Sequence, residues 1–506
     1  MEARQVTVTV DRAYPIGKVD KRIYGSFLEH VGRAIYTGIY EPGHPAADEE
    51  GWRQDVLETV TALQVPVIRY PGGNFVSGYN WKDGIGPRNQ RPTRLELAAR
   101  ILETNEIGVD EFVRWAKKAD TDVMMTVNLG TQGIDNAREL VEYCNFPGGT
   151  YWSDLRIRNG GAEPYGVKVW CLGNEMDGPW QMGQKEAREY GNLAAQAGKC
   201  MKLVDPSIEL VLSGSAATNL PTFPSFDAEA LERAYDYVDY ICLHAYYNNV
   251  PRDDLNFLAR NRHMDEYIRT MTGICDYVKA KRRGRKDIML SFDEWNVWYH
   301  SYEADTRIAH WTKAPAQSEE DYTMLDALVF GSCFLTLIQH CDRVKMALVA
   351  QLVNVLAPII ALPGGSCYCH TTYYPYQHVS LYGRGTAYQT AVEAPSFDCR
   401  DYENVSYVDA VTVLSEDERD LTVFAVNKDV DHDLPLTLTL TGFEGYRPVE
   451  HIIMSGDPDQ GNTPEQPCAV VPRSAQDVTL SDGTAGTVLP KGSWNVLRFR
   501  KEGVLP

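Results

Sequence analysis

At 506 residues with a formal charge of −20, the chain is too long for one ordinary compact core and too acidic to favour nucleic acid or an anionic membrane surface as partner. Hydrophobic residues at 44% and charged residues at 23% exclude a disordered chain, and no uninterrupted apolar run approaches the ~18 residues of a membrane span. One large domain with a smaller companion is the organisation these totals allow.

The N-terminus, Met1-Glu2-Ala3-Arg4-Gln5-Val6, has no apolar segment of signal-peptide length, so a cytoplasmic protein is expected. Residues 4–11 alternate as a half-buried strand without a nearby partner. From Pro15 to about residue 355, apolar strand-like runs alternate with amphipathic segments. Eight runs stand out: Ile23–Glu29, Val65–Tyr70, Val123–Asn128, Val167–Asn174, Ile208–Ser213, Val238–His244, Ile288–Glu294 and Met346–Gln351. Between them, Gly51–Gln64, Val109–Ala119, Lys185–Leu203, Asp265–Arg282 and Glu319–His340 carry apolar residues at helical spacing. This alternation predicts an α/β fold, a (β/α)8 TIM barrel, over residues 16–385. An open doubly wound sheet fits less well, because Tyr24-Gly25-Ser26-Phe27-Leu28-Glu29-His30 stands where a Gly-rich dinucleotide loop belongs.

Past residue 385 the helical period gives way to short alternating runs, among them Val411–Leu414, Leu421–Val426, Leu434–Leu440, Val449–Met454, Val478–Leu480 and Trp494–Arg500. They predict an all-β sandwich of jelly-roll type over residues 386–506, joined by the N-terminal strand in residues 1–15. The eleven cysteines are scattered through apolar segments and read as buried thiols. Cys367, Cys369 and His370 lack the second pair that a structural zinc site requires.

In a TIM barrel the reactive groups sit where strands end, and here those ends are unusually polar. They read Glu29-His30, Arg69-Tyr70-Pro71-Gly72-Gly73-Asn74, Asn128, Asn174-Glu175, His244-Ala245-Tyr246, Asp293-Glu294-Trp295-Asn296 and Gln351. Glu175 and Glu294 each follow a hydrophobic run and lie close to aromatic residues. Such a pair suits glycoside hydrolysis, in which one carboxyl protonates the leaving oxygen and the other stabilises or attacks the oxocarbenium-like centre. The plain structural reading is a helix-capping Glu175 and an ion-paired Glu294. His30, His244 and His300 with the carboxylates would also permit a metal-dependent reaction, although no His-x-His or His-Glu-x-x-His spacing is present. Neither a serine-nucleophile elbow nor a phosphate-binding loop occurs.

The ordered set Tyr24–His30, Arg69–Phe75, Gly173–Trp180 and Asp293–Trp298 resembles the α-L-arabinofuranosidases of glycoside hydrolase family 51, almost end to end. The resemblance implies a retaining, exo-acting enzyme that removes terminal arabinofuranosyl residues from arabinan or arabinoxylan oligosaccharides. In it Glu175 would be the general acid/base and Glu294 the nucleophile. It further implies that Glu29, Arg69, Asn74, Asn174, Tyr246 and Gln351 hydrogen-bond the sugar, with Tyr246 orienting the nucleophile and His244 lying near it. Trp180 and Trp298 would flank the leaving group, or else pack in the core. A homohexamer is implied, with no metal, cofactor, nucleic acid or membrane. The chain departs from the common family pattern at Leu95-Glu96-Leu97-Ala98-Ala99, where many members carry Trp in place of Ala99 and Asp in place of Glu96. Same-fold action on galactofuranosides, xylosides or β-glucans, and a non-catalytic carbohydrate-binding protein, are the competing readings.

Overall fold

A computed structural model describes residues 4–481 and 483–503; the outermost positions of the expected ranges 1–15 and 386–506 lie outside the described residues. Eight parallel strands close into a barrel: Gly25–Phe27, Val67–Tyr70, Asp122–Val127, Val169–Leu172, Glu209–Leu212, Tyr240–Tyr247, Met289–Val297 and Val344–Ala350. Each overlaps a run anticipated from the apolar pattern. Alternation divides their side chains between two cores. Val67, Met124, Val169, Cys171, Val211, Cys242, Met346 and Leu348 fill the barrel interior, whereas neighbours such as Trp170 and Leu172 turn outward against the helices.

The structure corrects four boundaries. The first strand is shorter than expected, because Lys21–Tyr24 forms a 3-10 turn capped by the Asp20 carboxylate. The sixth and seventh strands run on to Tyr247 and Val297, so His244, Tyr246 and Glu294 lie within strands and not just beyond them. The last long helix starts at Met324 instead of Glu319, where Thr323 and Asp326 form a reciprocal capping box.

The seventh strand carries the irregularity on which the site depends. Its register shifts between Ser291 and Glu294 against the sixth strand and between Phe292 and Trp295 against the eighth. Strict alternation would send Asp293 inward and Glu294 outward. The bulge lets both consecutive carboxylates face the barrel interior, while Trp295 packs outside.

The other sheet has ten strands in one continuous ladder. The N-terminal strand Val6–Lys18 pairs antiparallel with Gly385–Glu393 and parallel with Leu434–Thr441. Inward residues from distant strands, such as Val6, Val8, Val10, Leu436, Leu438, Val423 and Phe499, share one apolar core, so the ladder folds over into a sandwich. Its outer face, including Val413, Phe424, Val426, Trp494 and Val496, merges with the barrel core across the helix Met324–Gln339. Gly331 on that helix has no room for a side chain: an added Cβ would lie 2.7 Å from the Trp494 ring. The Trp494 indole donates to His378 Nδ1 at 3.0 Å. Burial lowers the His378 pKa to about 4, which keeps that nitrogen free to accept.

Candidate active site

The fourth barrel strand, Val169–Leu172, is fully buried because Val-Trp-Cys-Leu has no polar face. It ends where Gly173 (φ 84°) and Glu175 (φ 46°) both adopt left-handed backbone. For Gly173 this is easily accommodated; for a glutamate it costs on the order of 1–3 kcal/mol, a strain found mainly at functional positions. The turn is held by Gly178 N–H donating to the Glu175 carbonyl at 2.8 Å.

Around this turn the barrel gathers charged groups that are almost wholly withdrawn from water. Arg69 donates from Nη1 to Glu294 Oε1 at 2.6 Å and from Nη2 to Asn174 Oδ1 at 2.7 Å. Its Nε lies 3.5 Å from Asp293 Oδ2. The other Glu294 oxygen accepts from the Tyr246 hydroxyl at 2.8 Å. Glu175 is held by two rings: its Oε1 lies 3.0 Å from His244 Nδ1, and its Oε2 accepts from Trp180 Nε1 at 2.6 Å. His244 Nδ1 is also 3.6 Å from Glu294 Oε2, so the imidazole bridges the two glutamates. One carboxylate oxygen from each glutamate and a His244 nitrogen all lie within 4.8 Å of one another.

Charge pairing governs the proton affinities. Burial alone would depress the His244 pKa, but the Glu294 charge and the interaction with Asp293 outweigh it and raise it well above the usual range. The ring's protonated form is therefore the favoured one. Burial pushes the Asp293 carboxyl up, yet Arg69 and His244 together bring it below its usual value. For Glu29 the balance falls the other way. Burial and the nearby Glu294 charge raise its pKa to about 8, despite the Phe75 N–H bond. Glu29 is thus an uncharged acid at neutrality, with Oε1 accepting from Phe75 N–H at 2.8 Å and Oε2 from Gln351 Nε2 at 3.3 Å.

A cavity of about 690 Å³ opens above these groups. Of the residues singled out by sequence, Glu29, Asn74, Glu175, Trp180, His244, Tyr246, Glu294, Trp298 and Gln351 line it. Arg69 and Asn174 sit just beneath its floor, each 1% exposed, and act on it through Glu294 and Asn74. Trp180 is 44% exposed and belongs to the wall instead of the core. Trp298 meets Tyr246 edge-on at 5.4 Å. His244 lies near Glu294, as expected from the sequence, and nearer still to Glu175. His30 does not reach this cluster: it bonds Glu103 at 2.9 Å and Tyr70 at 2.8 Å while stacking on Phe75.

Three residues contribute to the site beyond those expected from the sequence as catalysts or sugar ligands. Asp293 carries no role legible in its motif, because only the bulge turns it and Glu294 the same way. Gln181, just after the Trp180 motif, donates to Asn74 Oδ1. Glu96 lines the cavity and ties down its own turn by accepting from the N–H groups of Ala98 and Ala99 at 2.8 and 2.7 Å. Among the described residues the groups spaced to hold a cation are Glu175/His244/Glu294 and Cys242/His244/Asp293. Both share His244 and border the Arg69 guanidinium, which already pairs with Asp293 and Glu294, so a metal ion would have to compete with a positive charge in place.

Comparison with known proteins agrees with this geometry. Residues 59–269 match the α-L-arabinofuranosidase 1 domain, and residues 293–493 match the α-L-arabinofuranosidase C-terminal domain. An intracellular exo-α-(1→5)-L-arabinofuranosidase of Halalkalibacterium halodurans is 54% identical over 98% of this chain and 99% of that protein. A Bacillus subtilis protein, intracellular exo-α-(1→5)-L-arabinofuranosidase 1, is 52% identical over 99% of this chain and 100% of its own length. The solved structure of a family 51 α-L-arabinofuranosidase from Bifidobacterium longum superposes with a TM-score of 0.94 at 42% identity, covering 98% of this chain and 100% of that one. The α-L-arabinofuranosidase of Thermotoga maritima in complex with arabinose gives a TM-score of 0.88 at 32% identity over 98% and 99% of the two chains. The chain belongs to the family 51 α-L-arabinofuranosidases.

Proposed function

We propose that this protein is a retaining, exo-acting α-L-arabinofuranosidase that releases terminal arabinofuranosyl residues from arabino-oligosaccharides, (1→5)-linked chains among them. The observation that carries the reading is that one carboxylate oxygen of Glu175 and one of Glu294 lie within 4.8 Å of each other, with His244 in reach of both. Retaining glycosidases keep their two carboxyl groups about 5–5.5 Å apart, whereas inverting enzymes leave about 6.5–9.5 Å for a water. The relatives' names supply the substrate class and an intracellular place of work. No helix among the described residues is long and apolar enough to cross a membrane.

In this reading a Glu294 oxygen attacks the anomeric carbon while the bond to the leaving oxygen breaks, and Glu175 gives that oxygen its proton. Water then attacks the same carbon, Glu175 takes the water's proton, and Glu294 leaves as carboxylate. Arg69 and Tyr246, one on each Glu294 oxygen, fix the direction of attack. His244 touches both glutamates and buffers the shift of negative charge between them as the covalent intermediate forms and decays. Protonated Glu29, Asn74, Gln351 and Tyr246 hold the furanose hydroxyls, with Arg69 and Asn174 supporting them from below. Trp180 and Trp298 border the leaving group. Residues 16–385 form the catalytic unit in this proposal, and residues 386–506 with strand 1–15 support it. A homo-oligomer, a hexamer by family resemblance, completes the picture. Hydrolysis of an aryl α-L-arabinofuranoside followed by NMR tests the core of it: the α-anomer of arabinose appears first, and a first-formed β-anomer, or no hydrolysis, overturns it.

A further inference from the structure

The two-stranded hairpin formed by Arg94–Glu96 and Ile101–Glu103 separates the catalytic cavity from a second one of about 280 Å³. The two cavities share Phe75 and Glu96 as a common wall. The second is walled otherwise by the segment after the second barrel strand, including Gly78, Asn80 and Asp83, and by Gln132 beyond the third. That position lies on the Glu175 side of the barrel, since the third strand pairs directly with the fourth. Gly78 and Gly130 both abut Met182, two residues from Trp180. A chain attached to the leaving oxygen at Glu175 therefore emerges beside this cavity.

The charges lining it are already neutralised. Arg94 spans both oxygens of Asp83 at 2.9 and 3.2 Å, Glu103 is paired with His30, and the Glu96 carboxyl faces two backbone N–H groups. An ion would find no uncompensated partner there. The Asn80 Oδ1 already accepts from Lys82 N–H and Asn136 Nδ2; what remains is the Asn80 Nδ2 and the Gln132 side-chain amide next to the apolar Leu95 and Leu97, which are 57% and 50% exposed. Amides beside an apolar surface match the hydroxyls and C–H faces of a neutral sugar, and the volume is near the lower limit for small-molecule sites.

The geometry points to a distal sugar subsite in this cavity that binds a further pentose of the leaving chain, beyond the residues flanking the scissile bond. This inference rests on the arabinofuranosidase reading above. It makes the enzyme sensitive to chain length: kcat/KM rises from a disaccharide to a tri- or tetrasaccharide, mainly through KM. Gly78→Leu fills the cavity from a position where an added Cβ meets nothing nearer than Met182 Cγ at 4.0 Å. Gln132→Ala removes an amide from an exposed residue and serves if the first variant folds poorly.

The experiment measures kcat/KM of wild type and both variants on an aryl α-L-arabinofuranoside and on (1→5)-linked arabino-oligosaccharides of two, three and four units. The expected result is unchanged activity on the aryl substrate and the disaccharide with a loss of about three- to tenfold on the longer chains, the value of one or two hydrogen bonds. A wild type indifferent to length beyond two units, or variants that lose activity equally on every substrate, would overturn the subsite alone. Wild type inactive on the aryl furanoside would instead overturn the functional reading, and the subsite with it.

Discussion

The catalytic end of the barrel and the interior of the sandwich are both sealed from water, yet they are built in opposite ways. In the sandwich Val6, Val8 and Val10 face Leu436 and Leu438 with no polar atom to satisfy, and each buried aliphatic side chain contributes about 1.5–3 kcal/mol. In the barrel Arg69, Glu175, His244, Asp293 and Glu294 are each no more than 6% exposed. Desolvating such ions costs several kcal/mol apiece, which mutual pairing offsets only when every partner is in place. The left-handed Glu175 adds strain to that cost. One region therefore supplies stability that the other consumes in holding a reactive arrangement.

If that division holds, substitutions should separate cleanly into those that remove activity and those that remove stability. The largest effect is expected for Glu294→Ala, which abolishes the nucleophile: kcat on every arabinofuranoside should fall by at least ~10⁴-fold while the protein stays folded. Glu175→Ala should lose about 10²–10⁴-fold on oligosaccharides but far less on an aryl substrate with a good leaving group, which needs no proton. Steady-state kinetics on the two substrate types checks this, and full activity of Glu294→Ala would refute the assignment.

Trp494→Ala should do the reverse. The ring is fully buried between the sandwich and the helix Met324–Gln339, against Gly331 and bonded to His378. Its loss should cost about 3–5 kcal/mol in urea unfolding and leave kcat/KM of the folded enzyme within about twofold. A parallel fall in kcat would show that the sandwich shapes the site as well as supporting it.

Much of this was legible in the sequence, for identifiable reasons. Barrel strands buried on both faces read as apolar runs, and a run such as Val169–Leu172 that breaks into Gly-Asn-Glu advertises both a strand and its functional end. What stayed hidden depended on register and on long-range contact. Alternation along Ser291–Trp295 gives no sign that Asp293 and Glu294 both turn inward, because a bulge is a property of the pairing with both neighbouring strands. Arg69 reads as a sugar ligand in the sequence and lies below the cavity floor in the structure, since its three carboxylate and amide partners come from the seventh strand and the turn after the fourth. The hairpin at 94–103 has too few residues per strand to show a period. The strand Gly385–Glu393 was missed because Thr-Ala-Tyr-Gln-Thr-Ala-Val-Glu alternates only weakly in hydrophobicity.

The smallest effect expected at any one pH step tests whether the cost at the catalytic end is electrostatic. Glu29 has a native pKa near 8 against an ordinary value of 4.5. Between those values the native state holds a proton that the unfolded state has released. Because stability rises with pH only where the unfolded state binds more protons, the Glu29 contribution makes stability fall as pH increases through this window, at most about 1.4 kcal/mol per pH unit. Glu29→Gln cannot ionise in either state, so its urea-unfolding free energy should decline less steeply than that of wild type from pH 5 to pH 8. The gap between the two proteins should move in favour of the variant across that range. Leu438→Ala, in the apolar sandwich core, should instead shift stability by about 2–5 kcal/mol equally at every pH. Identical pH slopes for wild type and Glu29→Gln would mean that Glu29 is ionised in the folded enzyme, and the sugar-binding role drawn for it here as a neutral donor would fall.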